Sequence, residues 1–180
     1  MLASDARSDR EEELTMSAEQ TREQILDEVE GKAGEYEIES GCCSQGCLRA
    51  LQEQFGFGNA ETYKAATAMP GIALRGETCG GVIGGLMAIG ILYGREDPKD
   101  TDSFLRAISY GRRFCKQFEK EFGTVMCRDI VKQRFGKELN LASPEDAKEF
   151  VKMDGYRRCS YVPGRAARIV AQMILDKSEE

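Results

Sequence analysis

The chain contains seven cysteines and no histidine, so cysteine chemistry is the first feature to examine. The lack of histidine excludes Ser-His-Asp and Cys-His nucleophile pairs, HExxH zinc sites, zinc fingers with paired histidines and CxxCH haem attachment. Thiolates ligate metals and attack disulfides, so this composition favours metal binding or redox chemistry. The seven thiols are Cys42, Cys43, Cys47, Cys79, Cys115, Cys127 and Cys159.

Cys79 has the strongest local signal, because it opens the glycine-rich stretch GETCGGVIGGLMAIGILYG at residues 76–94. The spacing predicts a helix in which Gly80, Gly81 and Gly84 leave a strip almost without side chains. At the start of that helix, unpaired N–H groups and the helix dipole favour a thiolate. The strip would let a prosthetic group approach the sulfur, and close helix packing explains it equally well.

Two further cysteines have neighbours that would lower a thiol pKa. Cys127 lies in the first turn of a predicted helix, and Cys159 follows Arg157 and Arg158. We therefore expect both to favour the thiolate. Cys115 lies in an apolar stripe and is predicted to be a core residue.

Cys43 has no such help, but Cys47 lies one turn further along the same helix face and is an additional candidate ligand. Cys43, Cys79, Cys127 and Cys159 would together supply four sulfurs from four helices. Tetrahedral sulfur coordination is typical of an iron–sulfur cluster or zinc. The same four thiols would also serve as a redox dithiol with a resolving pair. The residues alone do not decide between a metal site and a redox dithiol, and they do not assign a role to Cys42.

The order of these motifs resembles the redox-active protein family known by its C_GCAxxG_C_C pattern. Four segments carry the resemblance, within residues 20–177: CSQGC, GETCGGVIGGLMAIGILYG, FGTVMC and RRCSYV. The resemblance implies a redox-active domain with four characteristic cysteines, which fall on Cys43, Cys79, Cys127 and Cys159. It places the last glycine of the motif on Gly84, and Gly81 stands where the motif has alanine.

Helices are the elements predicted to position these thiols, since no segment shows the alternation of a strand. The fold class is all-α: a compact bundle of about six to eight helices in a single domain. A final helix carries Ile169 and Ile174. The other helices are predicted at about residues 18–33, 43–56, 59–68, 79–94, 100–122, 124–135 and 143–154. Gly31 and Gly34 are expected to weaken the end of the first of these helices.

Charge and hydropathy restrict the partners. Residues 1–40 carry 13 acidic and four basic residues, which predicts a disordered acidic tail at residues 1–16 before a helical four-cysteine domain at residues 17–177. An acidic front end opposes nucleic-acid binding. The longest apolar stretch, Val82–Leu92, is shorter than the roughly 20 residues that cross a bilayer, so we expect no membrane insertion. The acidic start also lacks the features of a secretory signal, which predicts a cytoplasmic protein.

The sequence thus predicts a cytoplasmic thiol protein that binds an iron–sulfur cluster or cycles between dithiol and disulfide. It would act as an oxidoreductase or as an electron-transfer accessory to a redox partner that the sequence does not identify. Bare glycine faces also suit homodimer packing. Two alternatives stay open: a soft-metal or metalloid carrier that uses the same sulfurs, and a helical scaffold with buried cysteines.

Overall fold

The computed structural model describes residues 21–178, which form nine right-handed helices and one left-handed turn at Gly71–Leu74. The predicted all-α fold is confirmed, and in the described part the only β pairing is a single bridge between Thr78 and Met126. The predicted tail at residues 1–16 lies outside the described residues. The helices are α1 Arg22–Ser40, α2 Cys43–Phe55, α3 Ala60–Ala65, α4 Gly80–Tyr93, α5 Thr101–Phe122, α6 Cys127–Phe135, α7 Pro144–Lys152, α8 Gly155–Cys159 and α9 Tyr161–Ser178.

Helix α1 is longer at its C-terminus than the sequence indicates. It begins after Thr21, whose hydroxyl accepts from the Gln24 N–H at 3.3 Å while the Gln24 side chain accepts from Thr21 N at 2.8 Å. Its glycines were expected to end it near residue 33, yet it continues to Gly41, where φ is 66°. A Cβ on Gly34 would lie 3.2 Å from the Ser160 carbonyl oxygen. This glycine therefore permits close packing within α1 and does not end the helix.

Four helices, α1, α2, α4 and α9, pack against one another, and α5 packs against α4 and α9. Burying a Val or Leu side chain contributes roughly 1.5–3 kcal/mol, so this main core is the chief source of stability. None of the described helices is both long and apolar enough to cross a membrane. The core side chains fully removed from solvent include Val29, Leu48, Leu51, Val82 and Val170.

The glycines of α4 bring neighbouring helices unusually close. A Cβ on Gly84 would lie 2.4 Å from the Ser44 carbonyl oxygen of α2, and one on Gly81 would lie 3.1 Å from Pro163 Cα of α9. Real Cβ atoms do not approach a backbone oxygen to 2.4 Å, so a side chain at Gly84 would force α2 and α4 apart. At both positions the strip is filled by protein.

A second, smaller cluster formed by α6, α7 and α8 packs beside the main core. Its buried side chains are Val131, Phe135, Leu139 and Phe150. Cys159 contacts both clusters, whereas Cys127 packs against the smaller one. Cys127 and Cys159 therefore lie where the two clusters meet.

Candidate functional site

A cavity of about 110 Å³ lies at that boundary, and Cys43, Cys127 and Cys159 line it. Cys79 does not line the cavity; its side chain is 4% exposed and in hydrogen-bond contact with Cys43. Cys43 opens α2, Cys79 precedes α4, Cys127 opens α6 and Cys159 ends α8. The structure thus brings together all four cysteines that the sequence singled out, while their chemical roles stay predictions.

Backbone pairing fixes the positions of Cys79 and Cys127. The Cys79 N–H donates to the Val125 carbonyl at 2.8 Å, and the Cys127 N–H donates to the Glu77 carbonyl at 2.6 Å. These two reciprocal bonds join the segments that lead into α4 and α6. Two helix N-termini therefore start side by side, each with a cysteine at its entrance.

The left-handed turn at Gly71–Leu74 forms one edge of the cavity. Its four φ angles lie between 50° and 63°, and a non-glycine residue in this region costs roughly 1–2 kcal/mol. A 2.7 Å hydrogen bond from Leu74 N to the Pro70 carbonyl helps to hold the turn closed. Leu74 lines the cavity, and a Cβ on Gly71 would lie 3.3 Å from Cys127 Sγ. Strained backbone of this kind concentrates at functional sites, which supports assigning function to this cavity.

Cys79 is the thiol that the fold makes acidic. The hydrogen bond donated by the Cys43 thiol lowers the pKa of Cys79, and the backbone N–H groups of Gly81 and Val82 lower it further, against the opposing effect of burial. The same hydrogen bond, together with burial, raises the pKa of Cys43 well above its ordinary value. Cys79 is therefore the more acidic thiol of the pair, and Cys43 is the less acidic one.

The expectation that Cys127 favours the thiolate, drawn from its position at a helix start, is wrong. It does open a helix, but burial raises its pKa to about 12, and the negative charges of Cys79 and Glu37 contribute in the same direction. The N–H groups at the start of α6 are outweighed because the sulfur lies between apolar walls and acidic neighbours. Cys127 is a protonated thiol at neutral pH.

Cys159 corrects a second expectation. Burial raises its pKa well above the ordinary value, and Arg134 is the cation that opposes this effect. The two arginines that precede it along the chain point elsewhere: Arg157 pairs with Asp154 at 3.3 Å, and Arg158 donates to the Arg134 carbonyl. Arg157 and Arg158 are next to Cys159 in sequence, but their charged groups do not lie near its sulfur, because consecutive helix residues project in different directions.

Glu37 is a site residue that the sequence reasoning missed. It lines the cavity, is 4% exposed, and its Oε2 has no hydrogen-bond partner. Burial raises its pKa to about 8, and the negative charge of Cys79 adds to the effect. The sequence held a signal: Leu26, Val29, Ala33 and Glu37 recur at intervals of three and four residues along the buried face of α1. Because the helix was predicted to end near residue 33, Glu37 was not recognised as part of that buried face.

Gly80 is the glycine that makes room for a sulfur. A Cβ at this position would lie 2.3 Å from Cys43 Sγ and 3.0 Å from Pro70 Cα. The absence of a side chain here therefore lets the Cys43 sulfur approach Cys79, whereas the sequence had predicted room for a prosthetic group. Gly81 and Gly84 face neighbouring helices instead, and their predicted contact with a cofactor stays a prediction.

The three remaining cysteines lie away from the cavity. Cys47 is fully buried, and burial raises its pKa far above the ordinary value. The Cys42 sulfur lies 3.5 Å from the Ser44 hydroxyl and 3.8 Å from the Thr67 carbonyl oxygen. Cys115 is half-buried and packs against the main core, as its apolar stripe predicts.

The four sulfurs have the chemistry that an iron–sulfur cluster or zinc requires. Across residues 21–178, however, no three cysteine or carboxylate side chains are grouped closely enough to hold a metal ion. The cluster and the soft-metal carrier therefore stay predictions. Measuring iron, sulfide and zinc in protein purified without oxygen tests them.

One family model matches this chain, over residues 41–173, and its description is "Putative redox-active protein (C_GCAxxG_C_C)". The matched segment includes the three cysteines that line the cavity and Cys79, whereas Glu37 precedes it. Searches among curated proteins and among solved structures gave no match.

Proposed function

The chain belongs to the C_GCAxxG_C_C family, which is described as redox-active, and from this premise we propose that it is a thiol–disulfide exchange protein. Its reacting pair is Cys43 and Cys79. The observation that supports this proposal is the position of the Cys43 sulfur, which lies 2.3 Å from where a Cβ would stand on Gly80, the residue that follows Cys79. One thiol of this pair, Cys79, also has a lowered pKa.

The two thiols have different roles because only Cys43 faces the cavity. In the disulfide form, an incoming thiolate attacks Cys43 Sγ, the Cys43–Cys79 bond breaks, and Cys79 leaves as a thiolate. A sulfur of lower pKa leaves faster, and the N–H groups of Gly81 and Val82 stabilise its charge. A second thiol from the reductant then displaces Cys43, which takes up a proton. Two electrons have then passed from two thiols to the protein.

Cys127 and Cys159 form a second pair of thiols at the same cavity. Both are protonated at neutral pH, since burial raises the pKa of each. They react more slowly than Cys79 for this reason. In the proposed function, Cys127 or Cys159 attacks a mixed disulfide that remains on Cys43 and releases the bound thiol.

Disulfide mapping tests the proposed function. Reduced protein is treated with limiting amounts of diamide, the free thiols are alkylated, and the cross-linked peptides are identified by mass spectrometry. We expect the first disulfide to join Cys43 and Cys79. Cys115 should stay free for alkylation, because it packs against the main core away from the cavity.

Single replacements supply the controls for this experiment. Cys43→Ser and Cys79→Ser should abolish the first disulfide, whereas Cys115→Ser should leave its yield unchanged. A first disulfide between any other two cysteines, or none at all, would overturn the proposed function.

A further inference from the structure

The cavity is small, and its walls are almost entirely apolar. Its volume of about 110 Å³ lies below the roughly 300–1,000 Å³ of sites for drug-sized ligands. At about 30 Å³ for each water-sized group, it holds on the order of four non-hydrogen atoms. Two lining residues are exposed, Leu74 at 43% and Tyr156 at 38%, so part of the cavity wall meets solvent. The apolar walls include Pro70, Leu74, Val131, Leu141, Phe150 and Tyr156.

One polar group in these walls lacks a partner. The Glu37 carboxylate lines the cavity, and its Oε2 is buried without any hydrogen bond. Leaving a buried acceptor unpaired costs roughly 1–3 kcal/mol, and a bound ligand with a donor group removes that cost. Glu37 therefore marks where the donor group of a ligand would lie.

The charge around the cavity has one sign. Glu37 lines it, and its carboxyl, whose pKa burial raises to about 8, carries a negative charge above that pH. Cys79, whose pKa is lowered, lies behind Cys43, and no lysine or arginine is among the lining residues described. Arg134, the cation that acts on Cys159, lines a separate surface groove with Glu121 and Gln133. A carboxylate brought into this cavity would lose its water without gaining a cation, and above about pH 8 it would also meet the charge of Glu37, so anionic ligands are disfavoured.

We propose that the cavity is the substrate pocket of the exchange reaction, and that it takes one arm of a small disulfide bearing a cationic or uncharged hydrogen-bond donor. The inference rests on the proposed function of Cys43 and Cys79. Cys43 passes its proton to the adjacent Cys79 and attacks one sulfur of R–S–S–R; the other sulfur leaves as R–S⁻, which takes the proton from Cys79. The Cys79 thiolate then attacks Cys43 Sγ and expels the second R–S⁻, which takes up a proton from water. The substrate becomes two R–SH, and the protein gains one disulfide and loses two electrons.

A series of disulfides of similar size and different charge tests this pocket. At about pH 8.5, where the Glu37 carboxyl with its pKa of about 8 is mostly ionised, the full-length reduced protein is mixed with cystamine, bis(2-hydroxyethyl) disulfide or dithiodiglycolate, which are cationic, neutral and anionic. The rate of Cys43–Cys79 disulfide formation is divided by the rate at which the same reagent oxidises a free small thiol. We expect cystamine to exceed dithiodiglycolate by about ten-fold in this ratio, and the neutral reagent to lie between them.

Glu37→Gln should reduce that preference to about two-fold, because the amide keeps the shape of the side chain and removes its charge. Glu39→Gln is the matched control, since Glu39 lies on the same helix and is exposed. It should leave the preference unchanged. The wild-type series decides the matter even if Glu37→Gln does not fold.

Diamide, which is not a disulfide, separates the two proposals. If diamide forms the Cys43–Cys79 disulfide but the wild-type protein shows no charge preference, the substrate pocket is wrong and the exchange function stands. If Glu37→Gln keeps the full preference, Glu37 is not its source and the pocket assignment fails. If diamide forms no Cys43–Cys79 disulfide, the exchange function itself is wrong.

Discussion

Replacing Glu37 by glutamine should remove a loss of stability that accompanies rising pH in the wild-type protein. Burial and the charge of Cys79 raise the pKa of Glu37 from its ordinary value of 4.5 to about 8. The folded chain therefore holds this proton more tightly than the unfolded chain. The contribution is fully present below about pH 4.5, and it is lost as the pH rises to about 8.

The size of the effect follows from the two pKa values of Glu37. They differ by about 3.5, and each unit corresponds to 1.36 kcal/mol, so the whole effect is about 5 kcal/mol. Most of it falls between about pH 5 and pH 7.5, where the free energy of unfolding should decrease by about 3 kcal/mol. Glutamine cannot ionise, so Glu37→Gln should lack this decrease.

Urea unfolding of the reduced protein at several pH values measures the effect. Cys79 acts in the opposite direction, because a lowered thiol pKa stabilises the fold as the pH rises toward 9. The quantity to compare is therefore the difference between the variant and the wild type at each pH. That difference should grow in favour of Glu37→Gln by about 3 kcal/mol between about pH 5 and pH 7.5.

Glu39→Gln is again the matched control, and its stability should follow that of the wild type across the pH range. Parallel curves for Glu37→Gln and wild type would show that the Glu37 carboxyl ionises as it does in water. The reasoning from its burial would then be refuted.

Two further outcomes concern the thiol pair. Gly80→Ala should lower the free energy of unfolding by about 1–3 kcal/mol and slow Cys43–Cys79 disulfide formation, because the new Cβ would overlap Cys43 Sγ. Gly90→Ala is the control, because nothing lies within 4 Å of a Cβ at that position. Its free energy of unfolding should rise by about 0.5–1 kcal/mol. Equal losses of stability in both variants would contradict the packing argument. Cys79→Ser should abolish the thiolate ultraviolet absorbance of the reduced protein below the ordinary thiol pKa. Cys115→Ser should preserve it, and a signal that survives Cys79→Ser would assign the thiolate elsewhere.

Local patterns were enough to predict the helices at Cys43, Cys79 and Cys127, whereas the short helix α8, which ends at Cys159, is not among the predicted helices. Apolar residues recur at helical spacing, and Cys79 and Cys127 each follow a break at which a helix starts, so both were correctly placed at helix entrances. The glycine-rich stretch also predicted that a sulfur would need space, and Gly80 provides it for Cys43. These features depend on the order of residues within one helix and its boundaries.

Patterns that depend on a distant contact were missed. Gly34 was read as weakening a helix end, because nothing in the neighbouring residues reveals that the Ser160 carbonyl lies 3.2 Å from where its Cβ would be. Shortening α1 then concealed Glu37. The left-handed turn at Gly71–Leu74 was likewise not predicted, since three of its residues rarely adopt positive φ.

The sequence by itself determined that Cys43, Cys79 and Cys127 lie at helix starts and that Cys79 opens the glycine-rich helix, because a helix start is encoded by a few adjacent residues. Only the tertiary structure decided which of these thiols has a lowered pKa. Cys127 also opens a helix, yet burial raises its pKa to about 12. The hydrogen bond from Cys43 lowers the pKa of Cys79, although the two residues lie far apart in the chain. Burial and charge act through space, so the acidity of each sulfur depends on neighbours that folding brings to it.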